Sequence, residues 1–297
     1  MKERITVQTS MLGIAKKAKS DKRYRFRNLY RELNEELLLD SWRLLRKDAA
    51  LGVDRISAAE YEANLAENIK QLVEQLKRKS YRAKLVRRHY IPKGNGGVRP
   101  LGIPATEDKL LQLAVKRLLE AIYEQDFLAC SYGYRPLVGT RIAVDELRVK
   151  LQFGGYHQLV EADIKGFFDH LAHEWLMRML AERIDDEPFL RLIKKWLKAG
   201  VLDTDGQVLR PGKWVRRKVA SSLRCWRMCT CTTRWICGSR ESFSAVVEAG
   251  RFYIVKPTTL SAALGEQKKP SGSTTSWKNG YGNAGWNWRI QNTGHTV

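Results

Sequence analysis

The stretch His157-Gln158-Leu159-Val160-Glu161-Ala162-Asp163-Ile164-Lys165-Gly166-Phe167-Phe168-Asp169-His170-Leu171 decides the plan of this chain. Its first residues read as a strand that ends at an acid, with a glycine turn just beyond. A carboxylate at such a strand end can face Mg2+, a hard cation that prefers oxygen ligands. The plainer reading is a turn or cap aspartate. The flanks are helical in pattern: Arg141 to Leu151 before the strand, then Glu174 to Arg183 and Pro188 to Leu197 after it.

Further upstream, Ser57-Ala58-Ala59-Glu60 is a capping box, in which Ser57 and Glu60 satisfy each other's orphan amides. Behind it Tyr61, Leu65, Ile69, Leu72, Val73 and Leu76 keep the spacing of one helix running to Lys77-Arg78-Lys79-Ser80. Thr106 is placed to cap another helix, with Glu107 and Asp108 in the first turn, where the helix dipole favours anions. Leu110, Leu113, Ala114, Leu118 and Ile122 give that helix its apolar face. Between the two helices, Leu85 to Lys93 and Gly97 to Pro104 flank a Gly94-Asn95-Gly96-Gly97 turn, the pattern of a hairpin. Helices, hairpin, helices, strand and helices in that order make a mixed α/β plan of the α+β type.

Lys93 and Arg99 stand on either side of the glycine-rich turn, so both cations can sit at one end of the hairpin. An arginine fork and a lysine point charge there suit a triphosphate; a solvated hairpin tip is the alternative. Ser131-Tyr132-Gly133-Tyr134-Arg135-Pro136 interleaves aromatic and basic residues, and reads as either core or a nucleic-acid contact.

Charge narrows the partners. With 53 Lys and Arg against 32 Asp and Glu, the formal net charge is +21. Polyphosphates are the natural counter-charge, because neutralising them releases condensed counterions. No apolar run is long enough to span a membrane, and Met1 to Ser10 lacks an apolar signal core. The expectation is a cytoplasmic protein that binds nucleic acid. Cys225, Cys229, Cys231 and Cys237 lack the paired spacing of a zinc knuckle, and Cys130 stands alone, so a zinc site is not expected.

Gly52-Val53-Asp54, Tyr90 to Gln112, Leu118 to Pro136 and Ala162 to Leu171 occur together in the order and spacing of bacterial group II intron reverse transcriptase/maturases. The resemblance covers about Leu51 to Leu209. It implies a right-hand polymerase fold, with fingers to about Arg135 and the start of a palm near Gln158. Residues 1–50 resemble the family's N-terminal extension more loosely. The resemblance makes Asp163 the first metal-binding aspartate and Ile164 the residue whose carbonyl also faces a metal. It makes Phe168 the aromatic gate against a ribose 2′-hydroxyl, and Lys93 and Arg99 the holders of the incoming deoxynucleoside triphosphate. Mg2+ is the implied cofactor. The implied partners are intron RNA and a DNA target or primer, and the implied work is RNA-directed DNA synthesis that aids intron splicing and mobility.

After Leu209 the resemblance stops. Six of the nine Trp and four of the five Cys lie beyond it, which is unlike a disordered basic tail. Joining the third base of each codon to the first two of the next, from Trp214 onward, permits the family's Thr-Pro-Gln-Gly-Gly and the sequence that follows it. Gly250 to Lys256 reads as family sequence in the printed frame. A further shift over Lys256 to Leu260 permits Ala-Asp-Asp-Phe. The chain is therefore read as an intact front joined to a shifted-frame tail, residues 210–297, expected to lack fixed structure. Lys256-Pro257-Thr258-Thr259-Leu260 is expected to stand where the metal-binding pair belongs. One carboxylate cannot hold two Mg2+ ions about 3.5–4 Å apart, so loss of synthesis is expected, with a catalytically dead RNA-binding maturase fragment as the alternative. The apolar faces of the helices at 174–197 are expected to lie exposed for want of the palm hairpin.

Overall fold

A computed structural model describes residues 2–209 apart from 93, 95, 128, 130, 133–134, 154–155 and 165–172. Beyond 209 it describes the strands Ser244–Glu248, Arg251–Pro257 and Trp288–Gln291; for these, and for residues 2–9 and 156–164, the description is of the backbone. In chain order come α1 (Lys2–Ser20), α2 (Glu35–Leu44), α3 (Ala58–Ala63), α4 (Leu65–Lys77), β1 (Val86–Pro92), β2 (Val98–Ile103), α5 (Thr106–Tyr123) and α6 (Thr140–Phe153). Then follow β3 (Tyr156–Ile164), α7 (His173–Ala181), α8 (Glu187–Leu197), β4 (Val201–Leu202), β5 (Val208–Leu209), β6 (Ser244–Glu248), β7 (Arg251–Pro257) and β8 (Trp288–Gln291). The mixed α/β plan is as the sequence reads, and three stretches of the tail expected to lack fixed structure are strands. The rest of 210–297, with its four cysteines, lies outside the described residues.

The chain divides into two compact units: residues 1–126 with 168–229, and residues 127–167 with 230–297. The first unit is built around α5, which packs on α1 and α2, while α2 packs on α4. Leu110, Leu111, Leu118 and Ile122 of α5 are fully buried, as are Leu72 and Leu76 of α4 and Leu38 of α2. The helices α7 and α8 belong to this unit too, and their apolar faces are covered: Leu176, Leu180, Phe189, Ile193 and Trp196 are all buried. That corrects the expectation of exposed faces at 174–197. Trp196 Nε1 donates to Tyr81 Oη at 2.8 Å, and Phe26 pairs with Ile184 in an isolated bridge, so the turn after α4 and the segment after α1 supply the cover.

Two helix starts differ from the sequence reading. The capping box at Ser57 forms, but the helix behind it breaks at Asn64, whose backbone (φ −124°) leaves the helical region. Asn68 Nδ2 donates to the Tyr61 carbonyl at 2.9 Å, satisfying an acceptor left open by the break. Thr106 lies inside α5 rather than capping it; Ala105 is the cap, and Thr106 Oγ1 donates to the Ile56 carbonyl at 2.7 Å. A tertiary bond has taken the hydroxyl from the local one.

A four-stranded sheet in this unit runs β2-β1-β4-β5, with β2 and β5 at its edges. The hairpin β1–β2 is antiparallel, with Arg87 opposite Ile103 through to Pro92 opposite Val98. In parallel to β1 lies β4, pairing Val86 with Val201. The second unit holds a sheet ordered β6-β7-β3-β8, antiparallel throughout, beside α6.

Gly52 explains the first motif of the resemblance. A Cβ added there would meet Ala105 Cα at 2.5 Å and the Pro104 carbonyl oxygen at 2.6 Å. Only a bare backbone can run this close to the start of α5. Asp54, two residues on, accepts from Lys84 Nζ at 3.0 Å. Gly52→Ala is expected to destabilise the fold by about 1–3 kcal/mol through overpacking, read as a lower urea midpoint; an unchanged midpoint would refute the close approach.

Asp108, fully inside, accepts from Tyr81 Oη at 2.5 Å and from the Lys84 amide at 3.0 Å. Burial pushes its carboxyl up to about 6, against the pull of those two donors. The folded state therefore binds this proton more tightly than the unfolded chain does, and between about pH 4 and 6 the group's contribution to stability falls as pH rises. Asp108→Asn removes that slope. The stability of the variant relative to the parent is expected to improve from pH 4 to pH 7 in urea titrations; a difference that is flat or falls with pH would contradict this.

Candidate active site

The hairpin β1–β2 carries the residues read as a triphosphate grip. Arg99 is exposed and stands directly opposite Ile91. Lys93 lies outside the described residues. What the structure adds is the root of this hairpin. Arg88, buried on the same face of β1 as Val86, makes an ion pair with Asp203 in the turn between β4 and β5. Tyr90 Oη donates to Asp203 Oδ1 at 3.2 Å, and the Thr204 amide donates to the same oxygen at 2.8 Å. Arg87 Nε reaches the Leu51 carbonyl at 2.9 Å. A nearly buried ion pair of this kind fixes orientation more than it adds stability.

Sequence reading missed Arg88 and Asp203. The partner lies more than a hundred residues away, beyond any local pattern. One signal was available: period-two alternation from Val86 puts Arg88 on an inward face, where a guanidinium needs a carboxylate.

Asp163 and Ile164 are the last two residues of β3, as the sequence reads, and they lie in the second unit. Their neighbours across the ladders are unexpected. Asp163 stands opposite Arg251 of β7 on one side and Arg289 of β8 on the other. Ile164 stands opposite Trp288. Directly opposed residues of adjacent strands share a face of the sheet. A pair of divalent ions needs further carboxylates at such positions, and cations there repel them. Two residues back, Glu161 stands opposite Tyr253 and Gln291, neither of them an anion. Among the described residues no group of three or more His, Cys, Asp or Glu is placed to hold a metal. By register, no second carboxylate stands opposite Asp163 among the described residues.

The register also relocates the expected gap. Glu248 pairs with Arg251 across a two-residue connection, which brings the start of β7 to the Asp163 end of β3. Lys256 and Pro257 then fall opposite Gln158 and Tyr156, at the far end of that strand. The residue of β7 opposite Asp163 is thus Arg251, at the start of that strand; Thr258 to Leu260 lie outside the described residues. Phe168, read as the ribose gate, lies outside the described residues.

Ser131 and Tyr132 are both buried, with Tyr132 in a small core with Ala143, Val138 and Leu147. Arg135 Nη1 donates to the Ser131 carbonyl at 2.6 Å, and its guanidinium lies over the Phe127 ring at 4.8 Å. The core reading holds for this pair.

Comparison with known proteins agrees with the resemblance. Residues 91–227 match the family model described as reverse transcriptase (RNA-dependent DNA polymerase), a match that runs past Leu209 into the stretch with the alternative-frame reading. The Group II intron-encoded protein LtrA of Lactococcus lactis subsp. cremoris is 44% identical over 138 residues, 46% of this chain and 23% of that protein. Protein YkfC of Escherichia coli (strain K12) is 37% identical over 155 residues, 51% of this chain and 41% of that protein. Among solved structures, the partial Cas6-RT-Cas1–Cas2 complex superimposes with a TM-score of 0.45 at 20% identity, covering 76% of this chain and 37% of that one. The matched stretch spans less than half the length of these relatives. By its hairpin, its strand-end aspartate and these matches, the chain is similar to intron-encoded reverse transcriptases/maturases over roughly its middle half.

Proposed function

We propose that this chain is a member of that family that no longer polymerises, and whose front part binds RNA. In a working relative the same lineage performs RNA-directed DNA synthesis that aids intron splicing and mobility. Here residues 1–50 form the N-terminal extension, 51–209 the fingers and start of the palm, and 210–297 the shifted-frame tail. Asp163 and Ile164 are what remains of a Mg2+ centre; Lys93, Arg99 and Phe168 are what remains of a deoxynucleoside triphosphate pocket. The partner is a cytoplasmic intron RNA. No helix among the described residues is long and apolar enough to cross a membrane.

The observation that carries the loss of synthesis is the pair of arginines at the two positions opposite Asp163. One carboxylate alone supplies too few oxygen ligands for two divalent ions. Retention of RNA binding rests on the charge of +21 and on an intact, buried core in the first unit.

Primer extension on an RNA template with Mg2+ and deoxynucleoside triphosphates tests the first part. The full chain is expected to give no product above an Asp163→Ala control. Synthesis by the parent that vanishes in the control would overturn it. Filter binding to structured RNA tests the second part, with affinity expected to fall by a factor of about 10³ or more between 50 and 200 mM salt for several phosphate contacts. Binding that ignores salt would contradict it.

A further inference from the structure

Two basic segments far apart in the sequence are stapled together in the first unit. One is the turn that ends α4, Lys77-Arg78-Lys79-Ser80-Tyr81-Arg82; the other is the last turn of α8 with Lys194, Lys195 and Lys198. Lys195 Nζ donates to the Tyr81 carbonyl at 2.6 Å and to the Lys79 carbonyl at 3.4 Å. Trp196 Nε1 holds Tyr81 Oη from beneath. Lys195 is consumed by this joint, but Lys77, Lys79, Arg82, Lys194 and Lys198 are exposed and make no ion pair among the described residues. The carboxylates of these two helices at Glu74 and Glu187 are already paired, Glu74 with Arg78 at 3.5 Å and Glu187 with Arg191.

A second observation is independent of charge. Lys79 has φ +58°, the left-handed region, immediately past the cap of α4. Its amide donates to the Leu76 carbonyl and the Ser80 amide to the Gln75 carbonyl, both at 2.9 Å. Glycine is the usual occupant of this position, because a Cβ there is strained. A lysine in its place is tolerated at a cost in stability, which points to use of its ammonium.

We propose that the turn Lys77–Arg82 and the end of α8 form one docking face for the phosphate backbone of folded RNA. This rests on the reading of the chain as an RNA binder. The chemistry of the face fits backbone and not bases. Its aromatic residues, Tyr81 and Trp196, are both buried and bonded to each other, so no ring is offered for stacking. No large apolar side chain is exposed among these residues, so an amphipathic membrane contact has nothing to insert. Burial first, and then nearby Lys198, hold His173 below its ordinary range.

The test uses the full chain and an RNA duplex of about 20 base pairs. Lys79→Gly is expected to leave the urea midpoint unchanged or raised while weakening RNA binding several-fold. Adding Lys194→Gln and Lys198→Gln is expected to weaken it at least tenfold at moderate salt. The log–log salt slope is then expected to fall by about three, for the three cations removed. Arg43→Gln, Arg46→Gln and Lys47→Gln together remove the same charge after α2 and are expected to do much less. Equal weakening by both triple variants, or none by the first, overturns the docking face while leaving RNA binding intact. A parent chain that binds no RNA overturns the broader reading as well. If the first triple variant keeps RNA but loses phosphatidylserine vesicles, the partner is a membrane surface and the proposal fails.

Discussion

A buried carboxylate that takes one bond from a phenol and one from a backbone amide holds the first unit together. Asp108 lies in the first turn of α5, Tyr81 in the turn after α4, and Lys84 just before β1. Through Tyr81 the same group reaches the indole of Trp196 on α8. Four elements separated by more than a hundred residues are thereby fixed by directional bonds, which apolar packing alone would leave free to slide. The hairpin that presents Arg99 inherits its position from this point: β1 begins two residues after Lys84 and docks on β4, which follows α8 directly.

Local chemistry made much of this legible. The capping box at Ser57, the β1–β2 hairpin with its glycine turn, and the helices after the palm strand all stand where periodicity and turn residues put them. What the sequence obscured was set by tertiary competition. Thr106 has a capper's position but gives its hydroxyl to Ile56, fifty residues upstream. Asn64 looks like one more polar position on a helix, yet it breaks the helix in two. The exposed faces expected of α7 and α8 are covered by residues of α1's exit and the α4 turn, partners that no periodic pattern identifies. At the site, the end of the palm strand was readable, because a strand-end acid with a glycine behind it is a local signal. Its companions were not: Arg251 and Arg289 are brought to Asp163 only by ladder register.

The two units stand in different relations to the family. The first is internally consistent, with its periodic apolar positions buried and its capping box at Ser57 formed, the agreement across levels that marks a sequence specifying its fold. In the second, the positions opposite the strand-end Asp163 are Arg251 and Arg289. Packing and catalysis depend on different residues, so the two units need not keep the family's pattern equally.

One feature of the β1–β2 hairpin bears on how this chain behaves at high concentration. Among the described strands β2 lies at the edge of its sheet, and an edge strand is a template for pairing with another molecule. Its sequence interrupts that template. Pro100, opposite Tyr90, has no amide hydrogen to offer, and Arg99 beside it sets like charge against like in any second copy. The strand that presents a cation to solvent is thereby also guarded against growing into fibrils.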